Sequence, residues 1–294
     1  MRKIGLHLFQ WKLIDIIAEL PTIKDCGYDF IQISPVQGIK TGNFEWWKLY
    51  QPLGMRIVDG YIGTREDLIQ LCREAKKLDI KVIVDVVLRH TATADNDCSV
   101  PSNEVDSILI DRKDFWTYAP NCTNYDSRWE ITNMSFGLPM LNYNNRDLQD
   151  IYKEFLQDLK ICGADGFRVD MGKHFALNSE GSNFWDYVFE DFKDMFIYAE
   201  CIDCSKEILN KYTEEGINVL SNCDCYDKSK LVSFIMTHDT ELTWHSTSNK
   251  TDDIIVNEWK WLLENNKESH MLFYTRPFND LWKSEQIKNI NKNY

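Results

Sequence analysis

The segment 164–174, ADGFRVDMGKH, sets Arg168, Asp170, Lys173 and His174 along an otherwise apolar run. Arg168 and Asp170 are two apart, so on a strand they share a face. A buried ion pair there adds little stability, because taking both charges out of water offsets their attraction. The pair is therefore either a structural salt bridge or a carboxylate kept ionised for chemistry by a neighbouring cation. Other charged strand ends decide between the two. DVVLRH closes one strand with Asp85 and His90, IYAEC another with Glu200, and FIMTHD a third with His238 and Asp239. Salt bridges that only hold a fold together do not gather at the matching end of four strands. Acids and histidines that do so form a site for proton transfer.

The elements that must position them alternate along the chain. IGLHLF precedes the helical LIDIIAELPTIKDCG, and FIQIS precedes REDLIQLCREAKKLD, for which Thr64 is the N-cap. KVIVDVV is almost wholly apolar, as in a parallel sheet buried on both faces. An excursion from His90 to Asn145, rich in Asn, Ser, Asp and Tyr, breaks the rhythm. Alternation resumes at RDLQDIYKEFLQDLKICG and runs through GFRVDM, FIYAEC, INVLS, a short helix, LVSFIM, TDDIIVNEWKWLLENN and SHMLFYT to a helix near NDLWKSEQIKNI. Strand and helix in strict alternation predict an α/β fold, a (β/α)8 TIM barrel, with a small loop-rich domain inserted after strand three. A doubly wound open sheet is the alternative, but no glycine-rich phosphate turn follows the first strand. The expected division is a barrel of residues 1–89 and 146–294 around an inserted domain of residues 90–145, with no C-terminal β domain.

Composition narrows the partners. A net charge of -13 over 294 residues argues against nucleic acid and against an anionic membrane surface. Ten Trp, thirteen Tyr and fifteen Phe suit a ligand with apolar ring faces such as a sugar, or equally a Trp-rich core. Nine cysteines, an odd number, fit a reducing compartment. Cys201, Cys204, Cys223 and Cys225 cluster, but their spacing is imperfect for zinc. The opening MRKIGLHLFQWKLIDIIAEL reads as strand then helix, not as a signal peptide, so a cytoplasmic protein is expected. A secreted protein with its signal trimmed reads the same way.

The charged strand ends, in this order, resemble the four conserved regions of the α-amylase family of glycoside hydrolases, family 13. IQISPVQ, WWKLYQPLGMRIVDGYIGT, and YDSRWEITN ahead of FGLPMLN are also similar to that family, and the likeness spans nearly the whole chain. It implies a retaining α-glycosidase acting on α-1,4-linked glucans such as starch or maltodextrin, foremost an endo-acting α-amylase. An exo-acting maltodextrin glucosidase, a transglycosylase and a catalytically silent glycan-binding barrel are the alternatives. By the resemblance Asp170 is the nucleophile, Glu200 the proton donor and base, and Asp239 the third carboxylate. Substrate contacts fall to Tyr50, Gln51, Trp46, Trp47, His90, Arg168, Lys173, His174 and His238. Asp85 is expected to support the turn beneath.

Three positions depart from the family pattern. Arg89 stands where the family has an asparagine that ligates a structural calcium. Either the calcium is kept, with His174 and Glu130 as ligands, or the Arg89 guanidinium takes its place and pairs with Glu130. Met140 stands where many relatives carry an acid, and Thr237 makes a chloride site unexpected. No cofactor is needed for the chemistry. Without a C-terminal domain, either the barrel stands alone or a homo-oligomer covers the exposed face.

Overall fold

The structure, a computed structural model, describes residues 3–276 and 279–294. Eight parallel strands close into a barrel: β1 (Ile4–Leu8), β2 (Phe30–Ile33), β3 (Lys81–Val86), β4 (Gly166–Val169), β5 (Phe196–Glu200), β6 (Asn218–Ser221), β7 (Leu231–Phe234) and β8 (His270–Tyr274). Each strand pairs with its sequence neighbours, and β8 closes on β1 with Ile4 opposite Met271. Phe30, Ile83, Tyr198, Leu220, Val232, Phe234 and Leu272 fill the interior. The Phe30 ring has room there because residue 5 is glycine: a Cβ on Gly5 would meet it at 2.2 Å.

The outer layer comprises α1 (Leu13–Asp25), α2 (Arg65–Lys77), α3 (Arg146–Cys162), α4 (Phe184–Val188), α5 (Lys206–Glu214), α6 (Asp252–Asn265) and α7 (Glu285–Asn293). Apolar residues three and four apart turn one stripe of each longer helix onto the strands, as with Leu148, Tyr152, Phe155, Leu156 and Leu159 of α3. Each such side chain removed from water contributes about 1.5–3 kcal/mol. Thr64 caps α2 in a reciprocal box with Asp67. Among the described residues no helix is long and apolar enough to cross a membrane.

Two features differ from the sequence expectation. Between β6 and β7 there is no α-helix, only a single turn at Lys228–Lys230, because the connection 222–230 is too short to lay a helix against the barrel. In the connection from β2 to α2, a hairpin of Gln37–Ile39 and Pro52–Ile57 encloses a 3₁₀ turn, Trp46–Tyr50. The chain leaves the barrel after Val86 and returns at Arg146. This excursion holds two short helices, Ser107–Ile110 and Arg128–Asn133, and isolated bridges such as His90 with Met140. It docks on the hairpin through main-chain bonds, Ala92 N–H to Pro52 O at 2.9 Å and Asp106 N–H to Leu53 O at 2.8 Å.

Candidate active site

Register places the charged centre. Asp85 on β3 lies opposite Arg168 on β4, and Arg168 opposite Tyr198 on β5. The guanidinium of Arg168 is 1% exposed. Its Nη1 donates to Asp85 Oδ1 at 2.7 Å and to Asp170 Oδ1 at 2.8 Å, and its Nη2 donates to Glu200 Oε1. One cation therefore serves three carboxylates, with Tyr50 donating to Asp85 Oδ2 at 2.9 Å. Arg168 was expected at the substrate, but it lies below the cleft. Asp85 was expected under a turn, but it is fully buried against Arg168.

Electrostatics follow from this unequal count. Burial pushes the Asp170 carboxyl well above the usual carboxylate range; Arg168 opposes that, and Glu200, Asp85 and Asp239 add to it. Burial likewise lifts Asp85 to about 6 against the pull of Arg168. Asp239 also rises through burial, and the charge of Arg168 and the hydrogen bond from Thr243 Oγ1 at 3.2 Å partly offset the rise. Arg168, expected to hold Asp170 ionised, does pull that carboxyl down, but it shares its charge among three acids. The histidines are neutral: burial takes His90 down to about 4 and His238 to about 3.

The loop after β4 carries Met171 at φ +51, and its N–H donates to Glu200 Oε2 at 3.0 Å. Gly172 follows because the loop runs hard against β5: a Cβ there would lie 2.6 Å from Glu200 N and 2.7 Å from Ala199 Cβ. His238 and Asp239 follow β7, where a single π turn, Asp239–Thr243, swings Trp244 over the mouth. The His238 ring is held between Phe9 and Tyr50, each stacked at a centroid distance of 4.6 Å. Its Nε2 lies 3.5 Å from Asp239 Oδ2. His90 Nε2 lies 2.6 Å from the Tyr50 carbonyl oxygen, so this imidazole is tied to the hairpin.

These groups open into a cleft of about 400 Å³ at the C-terminal end of the strands. Asp170, Glu200, Asp239, Tyr50, Gln51, Trp46, Trp47, His90, Lys173, His174 and His238 all line it. Lys173 Nζ donates to Ile202 O at 2.8 Å, which draws it toward the β5 loop. Sequence reasoning missed Tyr125, Phe136 and Trp244, which complete the aromatic rim. Tyr125 and Phe136 open the segments YDSRWEITN and FGLPMLN, and Trp244 lies five residues past Asp239, but nothing in their spacing shows that they fold back to the cleft.

The groups expected as metal ligands each have protein hydrogen-bond partners. Glu130 accepts from Thr123 N–H at 3.0 Å and Asn124 N–H at 2.9 Å, and no ion pair joins it to Arg89 among the described residues. His174 Nδ1 lies 2.9 Å from Ile131 O, and the His174 carbonyl accepts from Arg89. Among the described residues no three His, Cys, Asp or Glu side chains are grouped to hold a metal ion.

Known proteins resemble this chain in sequence and in fold. The profile of the alpha amylase catalytic domain matches residues 12–280. The chain belongs to the alpha-amylase family. An alpha-amylase of Clostridium acetobutylicum is 30% identical over 332 aligned positions, which take in 98% of this chain and 42% of that protein. The chain thus spans less than half the length of that alpha-amylase. Among solved structures, the alpha-amylase of Geobacillus thermoleovorans in complex with acarbose superposes with a TM-score of 0.76 at 20% identity, covering 98% of this chain and 77% of that one. Alpha-amylase I of Eisenia fetida gives 0.74 at 18% identity, covering 95% and 68%. These two likenesses are of fold: an alpha-amylase barrel.

Proposed function

We propose that the chain hydrolyses α-1,4-glucosidic bonds in starch- or maltodextrin-type glucans with retention of configuration, cleaving internally. The observation that carries this reading is the sharing of one guanidinium by Asp170 and Glu200. Adjacent nitrogens of Arg168 hold the two carboxylates as near neighbours, which suits a direct nucleophile rather than an intervening water. Asp170 Oδ1 is engaged by Arg168, while Oδ2 has no protein partner among the described residues and is free to attack the anomeric carbon. Glu200 protonates the departing glycosidic oxygen. A covalent glycosyl-enzyme on Asp170 then yields to water, from which Glu200 takes the proton back. Asp239, which lines the same mouth, grips ring hydroxyls and favours the flattened sugar of the transition state. Tyr50 supplies the aromatic floor. The aromatic side chains that line the cleft beside the carboxylates, Trp46, Trp47, Tyr125 and Trp244 among them, support a cleft that binds a chain in its middle. The acarbose complex of the Geobacillus protein and the maltohexaose complex of the Eisenia protein support an oligosaccharide ligand.

Maltoheptaose digestion tests this, with Glu200→Gln and Asp170→Asn as controls. The expected result is a mixture of mid-length products whose first-formed anomer is α, with turnover lowered by about 10³-fold or more in either variant. Glucose alone would contradict internal cleavage, and a β-anomer would contradict retention. Binding of the sugar without turnover would identify a silent barrel.

A further inference from the structure

Two arginines meet at the seam between the barrel and the 87–145 excursion, and neither lines the cleft. Arg89, at the root of the excursion, is 1% exposed. It donates from Nη2 to Thr132 O at 3.2 Å, from Nε to His174 O at 3.4 Å, and from Nη1 to Leu141 O. Its guanidinium lies 4.7 Å from the centre of the Tyr143 ring. Arg128 reaches the other way, from the excursion to the barrel. It donates from Nη2 to Phe175 O at 2.8 Å and to Tyr212 Oη at 3.0 Å, and from Nη1 to Lys173 O. Three successive carbonyls of the loop after β4, those of Lys173, His174 and Phe175, thus each accept from an arginine.

Main-chain oxygens converging from separate segments are what a calcium ion binds, but it needs six to eight oxygens, carboxylates among them. Here the converging oxygens are already filled by N–H donors, and a fixed positive charge stands in their midst. The one acid of the nearby short helix, Glu130, is bonded to its own loop at Thr123 and Asn124. Burial takes Arg89 down to about 10, which leaves it cationic at neutral pH. Arg128 keeps its own counter-ion, Glu180, at 2.8 Å. The residues present do not fit a divalent cation.

The geometry points to a reciprocal arginine clamp that takes the place of a bound calcium ion: Arg89 and Arg128 fasten the excursion to the loop bearing Lys173 and His174. Folding and cleft geometry are then independent of calcium.

The test is thermal unfolding of the chain in excess chelator and in millimolar calcium, with elemental analysis after dialysis against calcium. The wild type unfolds at the same temperature in both, within about a degree, and carries no stoichiometric calcium. A melting temperature that falls in chelator, or one calcium retained per chain, overturns the clamp. Arg89→Asn and Arg128→Gln each lower the melting temperature, on the order of 10 °C, because buried carbonyls lose their donors. A gain in the melting temperature of Arg89→Asn on adding calcium supports the substitution of ion by guanidinium, and a destabilised variant that ignores calcium still supports the clamp. If both variants unfold within a degree of the wild type, the clamp is overturned. If Arg89→Asn does not fold, the calcium response of the wild type decides alone.

Discussion

Arg168 faces Asp85 across the β3–β4 ladder, with Nη1 2.7 Å from Oδ1, and this buried contact lies beneath the cleft carboxylates. Asp85 competes with Asp170 for the same nitrogen, so its charge is one of those that push the Asp170 carboxyl upward. Asp85→Asn keeps the shape and leaves more of the cation to Asp170. The acid limb of kcat/KM is expected to move down by about one pH unit. A limb that stays in place shows that Asp85 does not tune the nucleophile.

Removing Arg168 is a harsher change, because three buried carboxylates lose their common cation. Arg168→Met is expected to destabilise the fold by about 3–5 kcal/mol in urea unfolding and to lower kcat by about 10³-fold or more. Arg168→Lys restores a charge but not the fork that spans Nη1 and Nη2, so it should recover part of the stability and little of the kcat. Equal recovery of both would mean that charge alone matters.

Gly172 lets the loop after β4 lie against β5 where Glu200 begins its work. The Cβ of Gly172→Ala would sit 2.6 Å from Glu200 N, so loop or strand must move. A shift of about 1 Å at a proton donor is expected to cost about 10²-fold in kcat with a smaller effect on KM. Unchanged kcat with lowered stability would place the strain away from Glu200.

How far these relations were legible in the sequence depends on their physical origin. Strand ends carry their own signal, since an apolar run that closes on an acid is visible in one dimension, and Asp85, Asp170 and Glu200 were read that way. The sharing of Arg168 was not legible, because it depends on register between strands about eighty residues apart. Arg128 was missed because two of its partners are main-chain carbonyls, which carry no residue signature, and the other two, Glu180 and Tyr212, lie more than fifty residues away. Trp244 was missed because a π turn, rather than a helix or strand period, brings it back over the mouth. The connection between β6 and β7 was misread because polar residues in a short turn look like the start of a helix.

Buried neutral histidines set the response of stability to pH. Burial holds His90 at about 4, His238 at about 3, and His7 and His174 well below the usual value. The unfolded chain takes up these protons near pH 6.5, so below that point it binds more protons than the fold and stability falls. Each histidine contributes a slope of up to about 1.4 kcal/mol per pH unit. The raised carboxyls of Asp85, Asp170 and Asp239 act in the opposite sense: for Asp85, raised to about 6, protonation favours the fold fully below about pH 4, a contribution lost as pH rises through about 6. The expected profile falls from pH 6.5 to 4 with less than the full slope of four histidines. Urea midpoints across pH 8 to 4 measure it, and a flat profile between pH 7 and 5 would contradict neutral burial.

The aromatic rim makes the final prediction. Trp47 is 39% exposed, Trp244 47% and Tyr125 65%, so these rings hold apolar surface in water at the edges of the cleft. That cost is offset when a sugar face covers them. Only a chain long enough to reach past the carboxylates touches them. Trp244→Ala and Tyr125→Ala should each raise KM for soluble starch by roughly 5- to 30-fold, the equivalent of about 1–2 kcal/mol, with kcat nearly unchanged. On maltotriose the same variants should match the wild type. An equal loss on both substrates would mean that the rings shape the catalytic centre itself, and no loss on either would make them surface residues without a role in binding.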